Sequence, residues 1–131
     1  MIGAPAAAQA ERVYVAERGS AAVGDARAYV EEGGHRRPVR HVVYHSPSGY
    51  EWSYDGSGPA GLSLSILADY FGEQPTREQL DRGEPRCWRL HQPFKWAFIA
   101  AAPHAGFRLP ERAIAAWLEE RQEKDDATAA P

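Results

Sequence analysis

The chain has 131 residues, a hydrophobic share of 44% and a formal net charge of −3 with histidine neutral. This length fits one domain with a single core, and the apolar content excludes a chain that is disordered throughout. The weak negative charge gives no general attraction to nucleic acid or to anionic membranes, and no apolar run approaches the roughly 20 residues of a membrane span. Cys87 is the one cysteine, which excludes an intrachain disulfide and a cysteine-based zinc site and is typical of a cytoplasmic protein.

The first strands are predicted early in the chain. Residues 12–16 (RVYVA) form a short apolar run, and residues 26–32 alternate weakly between apolar and polar side chains. Gly33-Gly34 then fits a hairpin turn, because glycine readily adopts the positive φ that such turns need.

The next segment predicts a second β-hairpin. Residues 39–45 are β-branched and aromatic, and the Ser-Pro-Ser-Gly sequence at 46–49 has the residue types of a type I turn. In residues 50–55 the side chains alternate, so three aromatic residues share one face. These residues, called the aromatic stripe below, are Tyr50, Trp52 and Tyr54.

An amphipathic helix is predicted to follow a Gly-Ser-Gly-Pro turn. Pro59 suits the first helical position because it lacks only an N–H that would be unpaired there, which makes Gly58 the N-cap. The apolar arc runs to about Phe71, and Gly72 is a natural residue just after a helix end. Such a wide arc indicates a half-buried helix packed on a sheet.

The remaining chain adds shorter elements. Residues 75–82 predict a short helix and residues 83–89 a connector, whereas residues 93–102 fit both strand and helix periodicity. The alanines and Pro93 favour a helix there. Residues 106–109 predict an edge strand, and the stripe of Ile114, Trp117 and Leu118 predicts a last helix from Pro110. Together these elements predict an α+β fold: an antiparallel sheet of three to five short strands with two or three helices on one face.

The domain organisation is simple. Residues 1–10 predict a disordered leader and residues 123–131 a disordered acidic tail. Residues 11–122 are then a single globular domain.

The stretch from His45 to Glu73, HSPSGYEWSYDGSGPAGLSLSILADYFGE, resembles an uncharacterised domain-of-unknown-function family of bacteria and their phages and plasmids. The Phe-Lys-Trp sequence at 94–96 and the Ile-x-x-Trp-Leu sequence at 114–118 match the downstream pattern of that family. The resemblance covers roughly residues 38–119. It implies a phage- or plasmid-associated setting, but it implies no activity.

The Gly-Ser-Gly-Pro turn is a candidate anion-binding site. Successive backbone N–H groups of Gly56, Ser57 and Gly58, beside a helix N-terminus, could hold a phosphate or carboxylate. Lys95 and His45 could complete this site. The alternative is a tight structural turn, and no Lys-Ser/Thr pair follows the glycines as in a P-loop.

Complete catalytic or metal-binding patterns are missing from the sequence. Ser57 does not fit a nucleophile elbow, because Asp55 stands where the first glycine would be. His45, Glu51 and Asp55 could meet near the hairpin as acid–base groups, or each could have a structural role. On a strand, His41 and His45 would lie roughly 13 Å apart, too far to share one ion. We therefore predict no catalytic residue, no metal and no cofactor.

Two sets of residues could form an interface. The aromatic stripe has the residue types of a core and also of protein interfaces. The second set consists of the arginines of the basic run at 35–41, which fit either a solvated strand or a nucleic-acid contact: Arg36, Arg37 and Arg40.

These features favour a small accessory or regulatory module that binds a protein partner. The first alternative is a binder or hydrolase of phosphate- or nucleotide-type small molecules at the Gly-Ser-Gly-Pro turn. The second is a weak nucleic-acid binder. Membrane association is not expected, and the sequence leaves the oligomeric state open.

Overall fold

The computed structural model describes residues 11–19, 26–45 and 49–129, with side chains described to residue 122. The predicted leader and the Ser46-Pro47-Ser48 turn therefore lie outside the described residues. The strands and helices are, in order, β1 (Val13–Arg18), β2 (Ala26–Glu32), β3 (His35–Pro38), α1 (Ser57–Phe71), α2 (Arg77–Asp81), α3 (Arg86–Phe94), β4 (Gly106–Pro110) and α4 (Glu111–Ala129). A π-helical turn, Lys95–Ile99, continues directly from α3. The predicted α+β class is confirmed.

The strands form one antiparallel sheet in the order β3-β2-β1-β4. Tyr14 lies opposite Val30 on one side and Leu109 on the other, and all three side chains are buried in the common core with residues of α1, α3 and α4. Gly33 and Gly34 have φ angles of 57° and 82°, so the predicted turn between β2 and β3 is confirmed. The predicted edge strand at 106–109 is β4.

The opposite face of the sheet carries a network of ion pairs. Arg36 donates to Glu17 at 3.0 Å and to Glu31 at 2.6 Å, and Arg108 donates to Glu31 at 2.7 Å. The Arg36 guanidinium also lies 4.4 Å from the centre of the Tyr29 ring. This face is therefore polar, and the charges of its paired arginine and glutamate side chains compensate one another.

The hairpin predicted for residues 39–45 and 50–55 is wrong. Neither run forms a strand, and the backbone breaks at Gly49 (φ 131°) and at Ser53 (φ 79°). No strand ladder joins the segments, and both are held by helical elements: Val42 N–H donates to Ser65 of α1, and Ser53 N–H donates to the Ile99 carbonyl. They contact each other through the Tyr50 side chain, whose ring lies 4.8 Å from that of His41. Alternation of aromatic residues predicts a strand only where a partner strand is available to complete the hydrogen bonds.

The aromatic stripe is consequently divided between core and surface. Trp52 is fully buried, with Arg18 4.3 Å above its ring and its Nε1–H donating to the His104 carbonyl at 3.0 Å. Tyr50 is half-buried and donates to the Val39 carbonyl at 3.0 Å. Tyr54 is 50% exposed. One residue therefore anchors the loop in the core while another faces solvent.

Helix α1 is confirmed with a different start, but its predicted half-buried character is wrong, because every residue from Gly58 to Ala68 is buried. It begins at Ser57 with Gly56 as N-cap, two residues before the predicted cap, so Pro59 occupies the third helical position. This position still tolerates proline, because the first four N–H groups of a helix lack intrahelical partners. The end is as predicted: Gly72 has φ 68°, and its N–H donates to the Asp69 carbonyl at 3.1 Å.

Helix α3 begins inside the predicted connector. The Glu73 carboxylate accepts hydrogen bonds from the backbone N–H groups of Arg86 and Cys87 at 3.0 and 2.8 Å, so it caps this helix from another part of the chain. Pro93 lies inside the helix, not at its start. The helical interpretation of residues 93–102 is confirmed as far as Ile99.

The short second helix and the last helix complete the fold. Thr76 and Gln79 form a reciprocal capping box at α2, within the predicted helical segment. Helix α4 extends to Ala129, well into the segment predicted to be a disordered tail. In the described part of the chain, no helix has both the length and the apolarity to cross a membrane.

Candidate functional site

The glycines of the Gly-Ser-Gly-Pro turn lie close to other groups. A Cβ atom added at Gly58 would stand 2.7 Å from the Cβ of Glu51, and one added at Gly56 would stand 2.8 Å from the Tyr54 ring. Gly58 is buried, and Gly56 has an extended φ of 176° that any residue adopts. Close packing therefore explains the glycine at position 58, whereas the exposed Tyr54 ring could move away from a side chain at position 56.

Lys95 reaches the residue just before this turn. Its side chain is buried, at 6% exposure for the residue, and its ammonium group forms an ion pair with the half-exposed carboxylate of Asp55. The same ammonium lies 5.1 Å from the centre of the Trp96 ring. Lys95 is thus beside the turn, as the anion-site hypothesis requires, but its charge is directed to Asp55.

His45 lies against helix α3 and contacts two of its residues. Its Nε2 is 2.9 Å from the Nε2 of His91, and its ring stacks on Trp88 at 5.6 Å between centroids. His91 Nδ1 donates to the Trp88 carbonyl at 2.5 Å, so its Nε2 is the acceptor in the neutral ring and His45 is the donor.

This histidine pair lies in a setting that disfavours positive charge. Burial lowers the pKa of His91 and of His45, and the nearby Lys95 charge lowers both further. A cation would meet the same repulsion from Lys95. Within the described residues, no three His, Cys, Asp or Glu side chains converge to hold a metal ion.

The proposed acid–base trio is not assembled as one unit. His45 pairs with His91, and Asp55 pairs with Lys95. Glu51 accepts two hydrogen bonds from Arg18 at 2.9 and 3.1 Å, and this contact lowers its pKa. Each carboxylate therefore has a specific basic partner.

Two exposed aromatic residues are the sequence neighbours of the Lys95–Asp55 ion pair. Tyr54 precedes Asp55 and is 50% exposed, and Trp96 follows Lys95 and is 59% exposed. We call Tyr54 and Trp96 the aromatic patch. Trp96 lies on the π-helical turn. This helix type is rare in proteins overall, but where it occurs it is often part of a functional site.

The arginines of the basic run are distributed over different partners. Arg36 belongs to the ion-pair network on the sheet, and Arg37 pairs with Asp69 at 2.8 Å. Arg40 is exposed, and no ion pair of Arg40 is found among the described residues. Among the residues that the structure describes, Arg36 and Arg37 thus have carboxylate partners, and Arg40 has none.

Sequence reasoning missed His91 and Trp88. Trp88, His91 and Lys95 are spaced i, i+3 and i+7, which places them along one side of a helix. That spacing was the available signal. The start of this helix could not be recognised in the sequence, because its cap comes from the distant Glu73 and residues 83–89 therefore look like a connector.

The comparison with known proteins identifies a family but no activity. No curated protein and no solved structure matches the chain. The sequence model of DUF6166, described as a family of unknown function, matches residues 14–120, which include the predicted region of resemblance. The chain belongs to the DUF6166 family of unknown function.

Proposed function

We propose that this protein is a small binding module whose protein partner docks on the aromatic patch. The observation that carries the proposal is the exposure of Tyr54 and Trp96, whose chain neighbours Asp55 and Lys95 are joined by an ion pair. Tryptophan and tyrosine are enriched among the residues that contribute most to binding at protein interfaces.

The patch is supported by a firm framework. The Ser53 N–H donates to the Ile99 carbonyl at 2.9 Å, which joins the loop carrying Tyr54 to the turn carrying Trp96. The buried Lys95 ion pair joins the same two segments. Preorganised rings lose less conformational entropy on binding, so this arrangement favours affinity.

An accessory or regulatory role in a phage- or plasmid-associated, cytoplasmic setting is part of the same proposal. It derives from the resemblance and from the single cysteine, and the aromatic patch is compatible with it.

The two alternatives have less support. An anion at the Gly-Ser-Gly-Pro turn would have to compete with Asp55 for Lys95. Nucleic-acid binding through the basic run would have to compete with the carboxylates that already pair with Arg36 and Arg37.

Affinity capture from lysate of the source cells tests the proposal. The full chain, a Tyr54→Ala/Trp96→Ala variant and an Arg89→Ala control are immobilised in parallel. Arg89 is an exposed residue of α3 outside the aromatic patch. We expect a protein retained by the wild type and the control, and lost or weakened at least about tenfold in the patch variant. No specific protein, or equal retention by the patch variant, would contradict the proposal.

A further inference from the structure

A concavity on the surface lies away from the aromatic patch. It has a volume of about 440 Å³ and is bounded by residues 40–43, the C-terminal half of α1 and helix α2. Small-molecule sites commonly have volumes of about 300–1,000 Å³. The hydrogen bond from Val42 N–H to Ser65 at 2.9 Å holds the irregular segment against α1 and so maintains this space.

One part of the cavity wall is apolar. Val42, Val43, Ala68, Pro75 and Leu80 all contribute to it. Val43 is half-exposed, although it belongs to a segment whose neighbouring residues pack against the core. An apolar wall with an exposed valine favours a ligand that has a compact apolar body.

The acidic side chains of the cavity wall already have hydrogen-bond or ion-pair partners within the chain. Asp69 accepts hydrogen bonds from Tyr14 at 2.7 Å and from Arg12 at 3.3 Å, and it pairs with Arg37. Glu73 caps helix α3 with both carboxylate oxygens. These carboxylates are therefore not available to bind a cationic ligand.

The basic groups of the wall are less completely used. Arg77 lies 4.3 Å from the centre of the Tyr44 ring and pairs with Asp81 at 3.4 Å. Arg40 lines the cavity, is exposed and has no ion pair among the described residues. The charge that remains for a ligand is consequently positive, and a guanidinium matches carboxylate and phosphate groups geometrically.

We propose that this cavity binds a small amphiphile whose anionic head, a carboxylate or a phosphate, pairs with Arg40 while its apolar body contacts the Val42–Leu80 wall. The site shares no residue with the aromatic patch, so the inference is independent of the proposed partner surface.

Three probes with the same apolar chain test the proposal on the full protein: octanoate, octyl phosphate and octylamine. Their binding is followed by the amide NMR signals of Val43, Gly72 and Gln74, which line the cavity. We expect saturable shifts with at least one of the two anions and binding at least about tenfold weaker for octylamine. The stronger anion identifies the preferred head group.

A charge-reversing substitution at the cavity provides a second test of the proposal. Arg40→Glu should weaken anion binding at least about tenfold, because it replaces attraction by repulsion. Arg89→Glu, an exposed arginine of α3 outside the cavity, should bind like the wild type. Circular dichroism checks that both variants are folded. Lack of saturable anion binding, equal binding of octylamine, or an Arg40→Glu variant that binds like the wild type would overturn the proposal.

Discussion

His45 and His91 meet through their Nε2 atoms at 2.9 Å, although they are 46 positions apart in the chain. The contact joins an irregular segment to helix α3, and Trp88 stacks against the His45 ring. Only one proton fits between the two Nε2 atoms, so the contact requires that at least one ring is neutral. This relationship makes the histidine pair sensitive to acid.

Stability should fall as the pH drops below the ordinary histidine pKa of 6.5. Burial, with the Lys95 charge as a further cause, lowers the folded-state pKa of both rings. Between the lowered folded-state pKa values and 6.5, the unfolded chain binds more protons than the folded chain. The contribution of the two histidines to stability is therefore complete above pH 6.5, and it is lost as the pH falls through the folded-state pKa values. Urea unfolding followed across this range measures the effect.

A variant isolates this contribution. His91→Gln cannot titrate, so its free energy of unfolding should change less with pH than that of the wild type. His35→Gln, at an exposed position of β3, is the matched control and should keep the wild-type pH dependence. An unchanged pH dependence in His91→Gln would show that the pair does not contribute.

Trp52 should be essential for stability. Trp52→Ala would remove a fully buried side chain together with its Arg18 and His104 contacts, and we expect a loss of about 3–5 kcal/mol in the free energy of unfolding. Denaturant titration measures it. Trp96→Ala is the control: because Trp96 is exposed, its effect should stay within about 0.5 kcal/mol. Equal losses in both variants would contradict the assignment of Trp52 to the core.

Two glycines of α1 should respond to alanine in opposite directions. Gly58→Ala would place a Cβ 2.7 Å from the Glu51 Cβ, and such overpacking costs about 1–3 kcal/mol. Gly61→Ala would meet nothing within 4 Å, and alanine is favoured over glycine in a helix by about 0.5–1 kcal/mol. Thermal or urea unfolding of the two variants gives the comparison. A stabilising Gly58→Ala would show that the turn is not closely packed.

Removing the counter-charge of Lys95 should destabilise the protein. Asp55→Asn leaves a nearly buried ammonium without its carboxylate, and we expect a loss of about 1–3 kcal/mol. Glu78→Gln is the matched control, because it removes the carboxylate of the exposed ion pair with Arg82, which contributes little. Urea unfolding of both variants should separate them, and a neutral Asp55→Asn would indicate that Lys95 finds another partner.

Local chemistry accounts for the elements that were predicted correctly. The Gly33-Gly34 turn and the end of α1 at Gly72 follow from positive φ angles that glycine adopts without strain. The helical periodicity of its apolar residues predicted that α1 is a helix, although not that it is buried on all sides. These features depend on residues that are close in sequence, and such signals can be read directly from the chain.

The candidate site was only partly predictable. Lys95, His45 and Asp55 were identified as polar residues of interest, but the pairing of Lys95 with Asp55 and of His45 with His91 was not predicted. Trp52 and Tyr54 were assigned to one strand face, although one is core and the other is surface. In each case the deciding contact lies with a residue more than 30 positions away, beyond any local pattern.

By itself, the sequence determined an α+β domain with β1, the β2–β3 hairpin and a helix that ends at Gly72. Only the tertiary structure decided that residues 49–55 form an irregular loop, with Trp52 inward and Tyr54 outward. The physical reason is that a strand requires a partner for its backbone hydrogen bonds, whereas a helix and a glycine turn satisfy theirs locally. Here the π-helical turn binds that segment through Ile99 and Lys95, and these long-range contacts position Tyr54 and Trp96.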